Sequence, residues 1–238
     1  MNESKRANKI LQILKGKFYV PKWACSSGKQ NAFKTLIRTV LSQATNDRNR
    51  DSACKNLSDK FELTPQVLAK ADVKEIEKAI RVGGLHRNKS KKIKALSKVV
   101  LERFNGSLNF IFCDSLGEAR SKLMSIPGVG PKTADVVLLF SAGKTTLPVD
   151  THVNRVSRRL GLVPLKGGYE EVRCSLESLY AAEEYFPAHL LLINLGRTFC
   201  KARNPNHKSC PVCSLCPTAR LEEAQPDLHR LHGSRDYP

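Results

Sequence analysis

The sequence predicts an all-α protein. Apolar residues recur at helical spacing along most of the 238-residue chain, no alternating β-pattern is sustained, and no Asn-Gly or Asp-Gly hairpin joins alternating runs. Apolar residues make up 41% of the sequence, enough to build a core and to exclude a disordered chain.

Taken in order, residues 5–17 carry Ile10, Leu11 and Leu14 at helical spacing. Residues 32–43 place Phe33, Leu36, Ile37, Val40 and Leu41 on one face. The next segments are 47–61 after Asn46, 73–82 after Asp72, 87–104 and 115–125. Then come 132–142, between Pro131 and Gly143, and 151–160, between Asp150 and Gly161. These flanking residues are helix start and stop signals. Segments 169–184 and 187–200 complete the set. Residues 218–238 are expected as a loose tail, since charge mixes with Pro and Gly from about Leu221 onward.

The formal net charge is +18, from 40 Lys+Arg against 22 Asp+Glu, which calls for a polyanionic partner. No apolar run is long enough to span a bilayer, and Met1–Arg6 lacks the apolar core of a signal peptide. The expectation is a soluble intracellular protein. Two basic stretches are expected to contact phosphate. Residues 86–103 hold Arg87, Lys89, Lys91, Lys92, Lys94, Lys98 and Arg103, and residues 197–208 hold Arg197, Lys201, Arg203 and Lys208.

Ile126-Pro127-Gly128-Val129-Gly130-Pro131-Lys132-Thr133-Ala134 joins two of the expected helices. Gly128 and Gly130 permit positive φ and let a phosphate approach the backbone. N–H groups of the loop and of the second helix's first turn then face that anion, and Val129 anchors the loop in the core. This is a helix-hairpin-helix signature, a strong sign of sequence-independent DNA binding and a weak sign of catalysis.

Asp150 begins another helix, eighteen residues after Lys132. An N-cap is the plain reading of such an aspartate. Paired with a lysine, it also suits one chemistry. A neutral amine attacks the sugar C1′ and expels the base, leaving a Schiff base. The iminium acidifies the adjacent sugar proton, and the 3′ phosphate leaves by β-elimination. Lysine must first lose its proton from a reference pKa of about 10.4. A helix N-terminus and partial desolvation both disfavour the ammonium, while a nearby carboxylate favours it. The carboxylate is therefore assigned to stabilising positive charge on the sugar and relaying protons.

Eight cysteines are present. Cys25, Cys54, Cys113 and Cys174 stand singly and are expected as buried small hydrophobes. Cys200, Cys210, Cys213 and Cys216 fall within seventeen residues. In a reducing compartment this cluster reads as a metal site, and the spacing leaves iron–sulfur and zinc equally open. Leu85, after Gly83-Gly84, reads either as a hydrophobic staple on the following helix or as a wedge into stacked bases.

The segments LSQATND (41–47), GGLHRNK (83–89), IPGVGPKTADVV (126–137) and LPVDTHVNRVSRRLGL (147–162), with the terminal cysteines, resemble the endonuclease III family in order and spacing. The resemblance spans about residues 5–217. It implies a two-lobed helix-hairpin-helix DNA glycosylase fold. A six-helix bundle lobe is placed at 25–144, and a second lobe, with a [4Fe–4S] cluster, at 1–24 and 145–217. It implies a bifunctional glycosylase and AP lyase of base-excision repair, acting as a monomer on double-stranded DNA in the cytoplasm, at the nucleoid. Lys132 takes the place of the Schiff-base nucleophile and Asp150 that of the catalytic carboxylate. Leu85 takes the wedge position, and Lys201, Arg203 and Lys208 lie on a loop that approaches the DNA backbone. Oxidised pyrimidines are the expected substrates. Alternatives are a mismatch or 8-oxoguanine glycosylase on the same scaffold, or a non-enzymatic DNA-binding hairpin module.

The chain departs from the family in two places. The family's gap-filling Gln falls on Ala44, leaving Gln43 and Asn46 as candidates. The family's cysteine pattern, C-x6-C-x2-C-x5-C, would fall on Cys200, His207, Cys210 and Cys216. Cys213 is extra, and the expectation is that it supplies the missing ligand, leaving His207 facing DNA or supporting the ligands from behind; the alternative is a cluster with His207 as a ligand.

Overall fold

The computed structural model describes residues 2–21 and 31–224. The expected lobe boundary at residue 25, Cys25 and residues 225–238 of the expected tail lie outside the described residues. Helices without strands make up the described structure, as the periodicity predicts. The described residues fall into two compact units, 31–144 and 2–21 with 145–224.

The unit of residues 31–144 begins with α2 (Ala32–Leu41), the second helix of the chain after α1 (Glu3–Lys17). It continues with α3 (Asp47–Lys60), α4 (Pro65–Lys70), α5 (Val73–Ala79), a 3-10 turn (Arg81–Gly83) and α6 (His86–Arg103). Then follow α7 (Phe110–Cys113), α8 (Leu116–Met124) and α9 (Pro131–Ala142). The core forms where α6 packs on α4 and α5, and where α9 packs on α2 and α8. Every residue of α9 from Thr133 to Leu139 is buried, as in a helix apolar on all sides.

A charged pair lies within this core. Arg120 on α8 forks onto Asp135 on α9, Nε to Oδ1 at 2.8 Å and Nη2 to Oδ2 at 3.2 Å. The Asp135 side chain is fully buried. The fork joins the two helices that flank the hairpin loop. Removing one partner of such a pair leaves the other charge buried without it, at a cost of about 3 kcal/mol. Arg120→Met is therefore expected to lower the melting temperature by many degrees, and Arg120→Met with Asp135→Leu to recover most of the loss. Thermal unfolding followed by circular dichroism measures both. Equal losses in the single and double variants would show that the pair is not the source.

The other unit holds α1, α10 (Thr151–Arg159), α11 (Tyr169–Leu179), a 3-10 turn (Ala182–Glu184) and α12 (Tyr185–Thr198). A 3-10 turn (Cys213–Leu215) and α13 (Pro217–Ala224) follow. α10 and α12 meet at Gly196, where a Cβ would stand 3.0 Å from the Cβ of His152. Any larger residue there would have to push His152 or Val156 aside. Arg6 of α1 donates to the carbonyls of Leu160 and Gly161, each at 2.5 Å, and so caps the end of α10.

Several expectations need correction. The segment 169–184 breaks because Tyr180 is extended (φ −114°, ψ 152°) and buries its ring in the core. The end of 73–82 becomes a 3-10 turn because Gly84 turns left-handed at φ 67°. The tail expected from 218 starts instead as α13, with Pro217 opening the helix. α4 was unforeseen, although Thr64-Pro65 is a cap followed by a first-turn proline. Cys113 and Cys174 are exposed and Cys54 is half-buried, so these three are not the buried hydrophobes expected.

Candidate functional site

The hairpin is a tight turn. Val129 N–H donates to the Ile126 carbonyl at 3.0 Å, with Pro127 second and Gly128 third at φ 77°. Pro then Gly at those places is what a type II turn requires. Val129 is 5% exposed and anchors the turn. Gly130 caps α9 and makes no side-chain cap hydrogen bond. A helix N-terminus of this kind, with its dipole, suits an anion. Lys132 stands half-buried in the same first turn.

Two more turns belong to this unit. Leu85, the N-cap of α6, is left-handed at φ 47° and 56% exposed. A bulky residue in that region is strained, and a staple would be covered by its helix; an aliphatic side chain held out into solvent fits a wedge. Between α2 and α3, Ala44 is left-handed at φ 49°, and Asn46 accepts from Asn49 N–H as the cap of α3. That cap gives Asn46 a structural task, which leaves Gln43 as the stronger gap-filling candidate. Gln43 Oε1 accepts from Lys92 Nζ at 3.1 Å.

Not every residue of the first basic stretch faces outward. Arg87, Lys91, Lys98 and Arg103 are exposed. Lys89 is buried, bound to the carbonyls of Leu41 and Gly83, and Lys94 donates to the Ala71 carbonyl. The expectation of phosphate contact fails for Lys89, whose ammonium is taken up inside the protein.

In the other unit, Asp150 caps α10, its Oδ1 accepting from Val153 N–H at 2.7 Å. The plain cap reading is thus met, and it also fixes the carboxylate at a helix N-terminus. The segment before it is held by three side chains that sequence reasoning missed. Leu147 N–H donates to Glu177 at 2.9 Å, Val149 N–H to the Tyr169 hydroxyl at 3.3 Å, and the buried His189 Nδ1 donates to the Pro148 carbonyl at 2.8 Å. His189 sits on the apolar face of α12 beside Leu192, which is the signal that could have found it.

The cysteine loop is built on α10. Arg159 donates to Cys200 Sγ at 3.5 Å, to the Lys201 carbonyl at 2.6 Å and to the Ala202 carbonyl at 3.1 Å. Cys200, Cys210, Cys216 and His207 line one pocket with Leu195 and Phe199. Cys213 is outside that lining, yet its thiolate still pushes the Cys210 and Cys216 thiols up. Cys210 is pushed up to about 11, first by burial and then by the neighbouring Cys216, Cys200 and Cys213. The N–H of Val212 bonds Cys210 sulfur, and those of Ala219 and Thr218 bond Cys216 sulfur. Clustered thiols that repel as anions yet receive N–H donors are the environment an iron–sulfur cluster takes. Among the described residues, no three His, Cys, Asp or Glu side chains stand close enough to hold a single metal ion. Lys201, Arg203 and Lys208 are exposed on this loop.

Residues 37–182 match the family described as HhH-GPD superfamily base excision DNA repair protein. Endonuclease III of Thermotoga maritima is 38% identical over 77% of this chain and 82% of that protein. The chain belongs to the endonuclease III family. Endonuclease III of Bacillus subtilis is 35% identical over 82% of this chain and 85% of its own length. Two solved structures agree with the assignment. A non-covalent endonuclease III–DNA complex matches with a TM-score of 0.79 at 32% identity, covering 94% of this chain and all of that one. A trapped endonuclease III–DNA covalent intermediate matches at 0.78 and 33%, with the same coverage. As a member of the endonuclease III family, the chain is a base-excision repair enzyme, a DNA glycosylase with AP lyase activity.

Proposed function

We propose that this enzyme removes oxidised pyrimidines from double-stranded DNA and cleaves the strand 3′ to the resulting abasic site, with Lys132 as the Schiff-base nucleophile. The supporting observation is the place of Lys132, in the first turn of α9 just after the glycine turn, where a helix N-terminus suits the DNA backbone beside its amine. Asp150 supplies negative charge to the developing sugar cation and relays protons. Leu85 enters the stack and Gln43 fills the gap left by the extruded nucleotide. Exposed Lys201, Arg203 and Lys208 contact the DNA backbone. The enzyme acts as a monomer, in the cytoplasm at the nucleoid. Among the described residues, no helix is long and apolar enough to cross a membrane.

Cys200, Cys210, Cys213 and Cys216 hold a [4Fe–4S] cluster on this reading. The cluster supplies a four-thiolate cross-link that fixes the loop bearing Lys201, Arg203 and Lys208. One observation favours a second ligand set, with His207 in place of Cys213: His207 lines the pocket with the other three cysteines.

A panel of duplexes bearing oxidised pyrimidines, 8-oxoguanine or mismatches, incubated with borohydride, tests substrate and mechanism together. Covalent trapping is expected on oxidised pyrimidines and on abasic sites. Trapping on 8-oxoguanine alone would move the enzyme to the other branch of this scaffold. Asp150→Asn is expected to keep the cap, since asparagine caps as well as aspartate. Single-turnover base release should nevertheless fall at least about a hundredfold. Release near the wild-type rate with only a lower melting temperature would leave Asp150 as a cap alone.

A further inference from the structure

Lys89 and Lys92 stand three residues apart and so share one face of α6. Lys89 is 3% exposed, and its Nζ donates to the Leu41 carbonyl at 2.9 Å and to the Gly83 carbonyl at 2.8 Å. Burial pushes its pKa below the ordinary lysine value, so the ammonium is kept inside at a cost. The two carbonyls are placed at telling points. Leu41 is the last residue of α2, directly before the turn that carries Gln43 and the left-handed Ala44. Gly83 lies two residues before the left-handed Leu85. Strained residues of this kind persist only where the surroundings hold them.

Lys92 extends the same face into the second turn. Its Nζ donates to Gln43 Oε1 at 3.1 Å. Its stem crosses the hairpin so closely that a Cβ on Gly128 would stand 2.7 Å from Lys92 Cδ and Cε. The φ of 77° favours glycine at 128, and the Lys92 stem lies directly over it.

We infer that Lys89 and Lys92 are positioning residues that brace the Gln43 turn, the Leu85 turn and the Gly128 hairpin into one unit, so that wedge insertion, gap filling and phosphate grip occur together. The inference rests on the reading of Leu85 as wedge and Gln43 as filler. It assigns two cations of the basic stretch to holding the reading head in shape. Their neighbours Arg87 and Lys91 remain exposed for phosphate.

The test is a double-variant cycle on Leu85→Ala and Lys89→Met, using single-turnover base release and the fluorescence of 2-aminopurine next to an abasic-site analogue. Lys89→Met is expected to slow release at least about tenfold, the scale of a misplaced reacting geometry. It should suppress the fluorescence rise that reports extrusion and leave affinity for undamaged duplex within about twofold, since phosphate contacts carry that affinity. The double variant should be no slower than the slower single one, because both act on one event. Multiplying losses would mean that Lys89 acts only through general stability, and would overturn the inference. Wild-type release by Leu85→Ala alone would sink the wedge reading and the inference with it, an outcome distinct from multiplying losses. Should Lys89→Met fail to fold, the same cycle runs with the half-buried Lys92→Met and with Gln43→Ala, and there too multiplying losses overturn the proposal.

Discussion

Lys132→Gln is expected to abolish both base removal and borohydride trapping while the protein still binds DNA. Trapping needs a primary amine to form the imine that borohydride reduces, and glutamine has none. The loss in base release should be at least about a thousandfold, the scale on which removing a covalent nucleophile acts. Binding should fall by less than about tenfold, and its salt slope should change by no more than about one. The reason lies in the hairpin. On the proposed reading its grip on phosphate comes from the backbone of the Gly128 turn and the start of α9, and the substitution leaves both in place. Lys132 is half-buried at a helix start, where glutamine is tolerated, so folding should hold. Electrophoresis of the trapped complex and a fluorescence-anisotropy titration read the two effects separately. Trapping that persists in the variant would assign the nucleophile to another amine.

The helices were legible because helical spacing and punctuation agreed. Asp150 caps α10 where an aspartate before an apolar pattern should, and Gly143 closes α9 at φ 61°. Sequence reasoning failed where a local rule yielded to packing. Tyr180 interrupts a helical pattern because its ring belongs to the core. Asn105-Gly106, a hairpin pair in β-proteins, reverses the chain after α6 with both residues at positive φ, 50° and 70°. The hairpin glycines and Lys132 could be found from order and spacing, since each does its work within one turn. Glu177, Tyr169 and His189, which hold the approach to Asp150, come from two other helices, and only His189, a polar residue on the apolar face of α12, gives a local sign. Lys89 misled for the opposite reason. Its charge placed it with the phosphate contacts, although its spacing to Ile93, Leu96 and Val100 set it on the buried face of α6.

Purified aerobically, the enzyme is expected to be yellow-brown, with broad absorption near ~400 nm and about four irons per chain, as iron–sulfur charge transfer and a four-thiolate [4Fe–4S] centre require. The two ligand sets make opposite forecasts. If Cys213 is the fourth ligand, Cys213→Ser bleaches the protein as fully as Cys200→Ser, and His207→Ala leaves the colour. If His207 is the ligand, the outcomes exchange. The structure supplies an argument on each side. His207 lines the pocket with Cys200, Cys210 and Cys216, and the His207 carbonyl accepts from Cys210 N–H at 3.0 Å. Cys213 N–H donates to the Cys210 carbonyl at 3.1 Å, and Cys216 N–H to the Cys213 carbonyl at 3.0 Å. Two successive turns thus join the three C-terminal cysteines, and the Cys213 thiolate already acts on both neighbours. Cys213 is the expected ligand for a chemical reason. Thiolate is the usual donor to iron–sulfur clusters, and imidazole replaces it where a higher potential is set. Iron content, absorption and midpoint potential of each variant decide the matter. Colourless wild-type protein carrying one zinc would replace the cluster by a structural zinc site. The case for Lys132 would stand unchanged, since its hairpin belongs to the other unit of the chain.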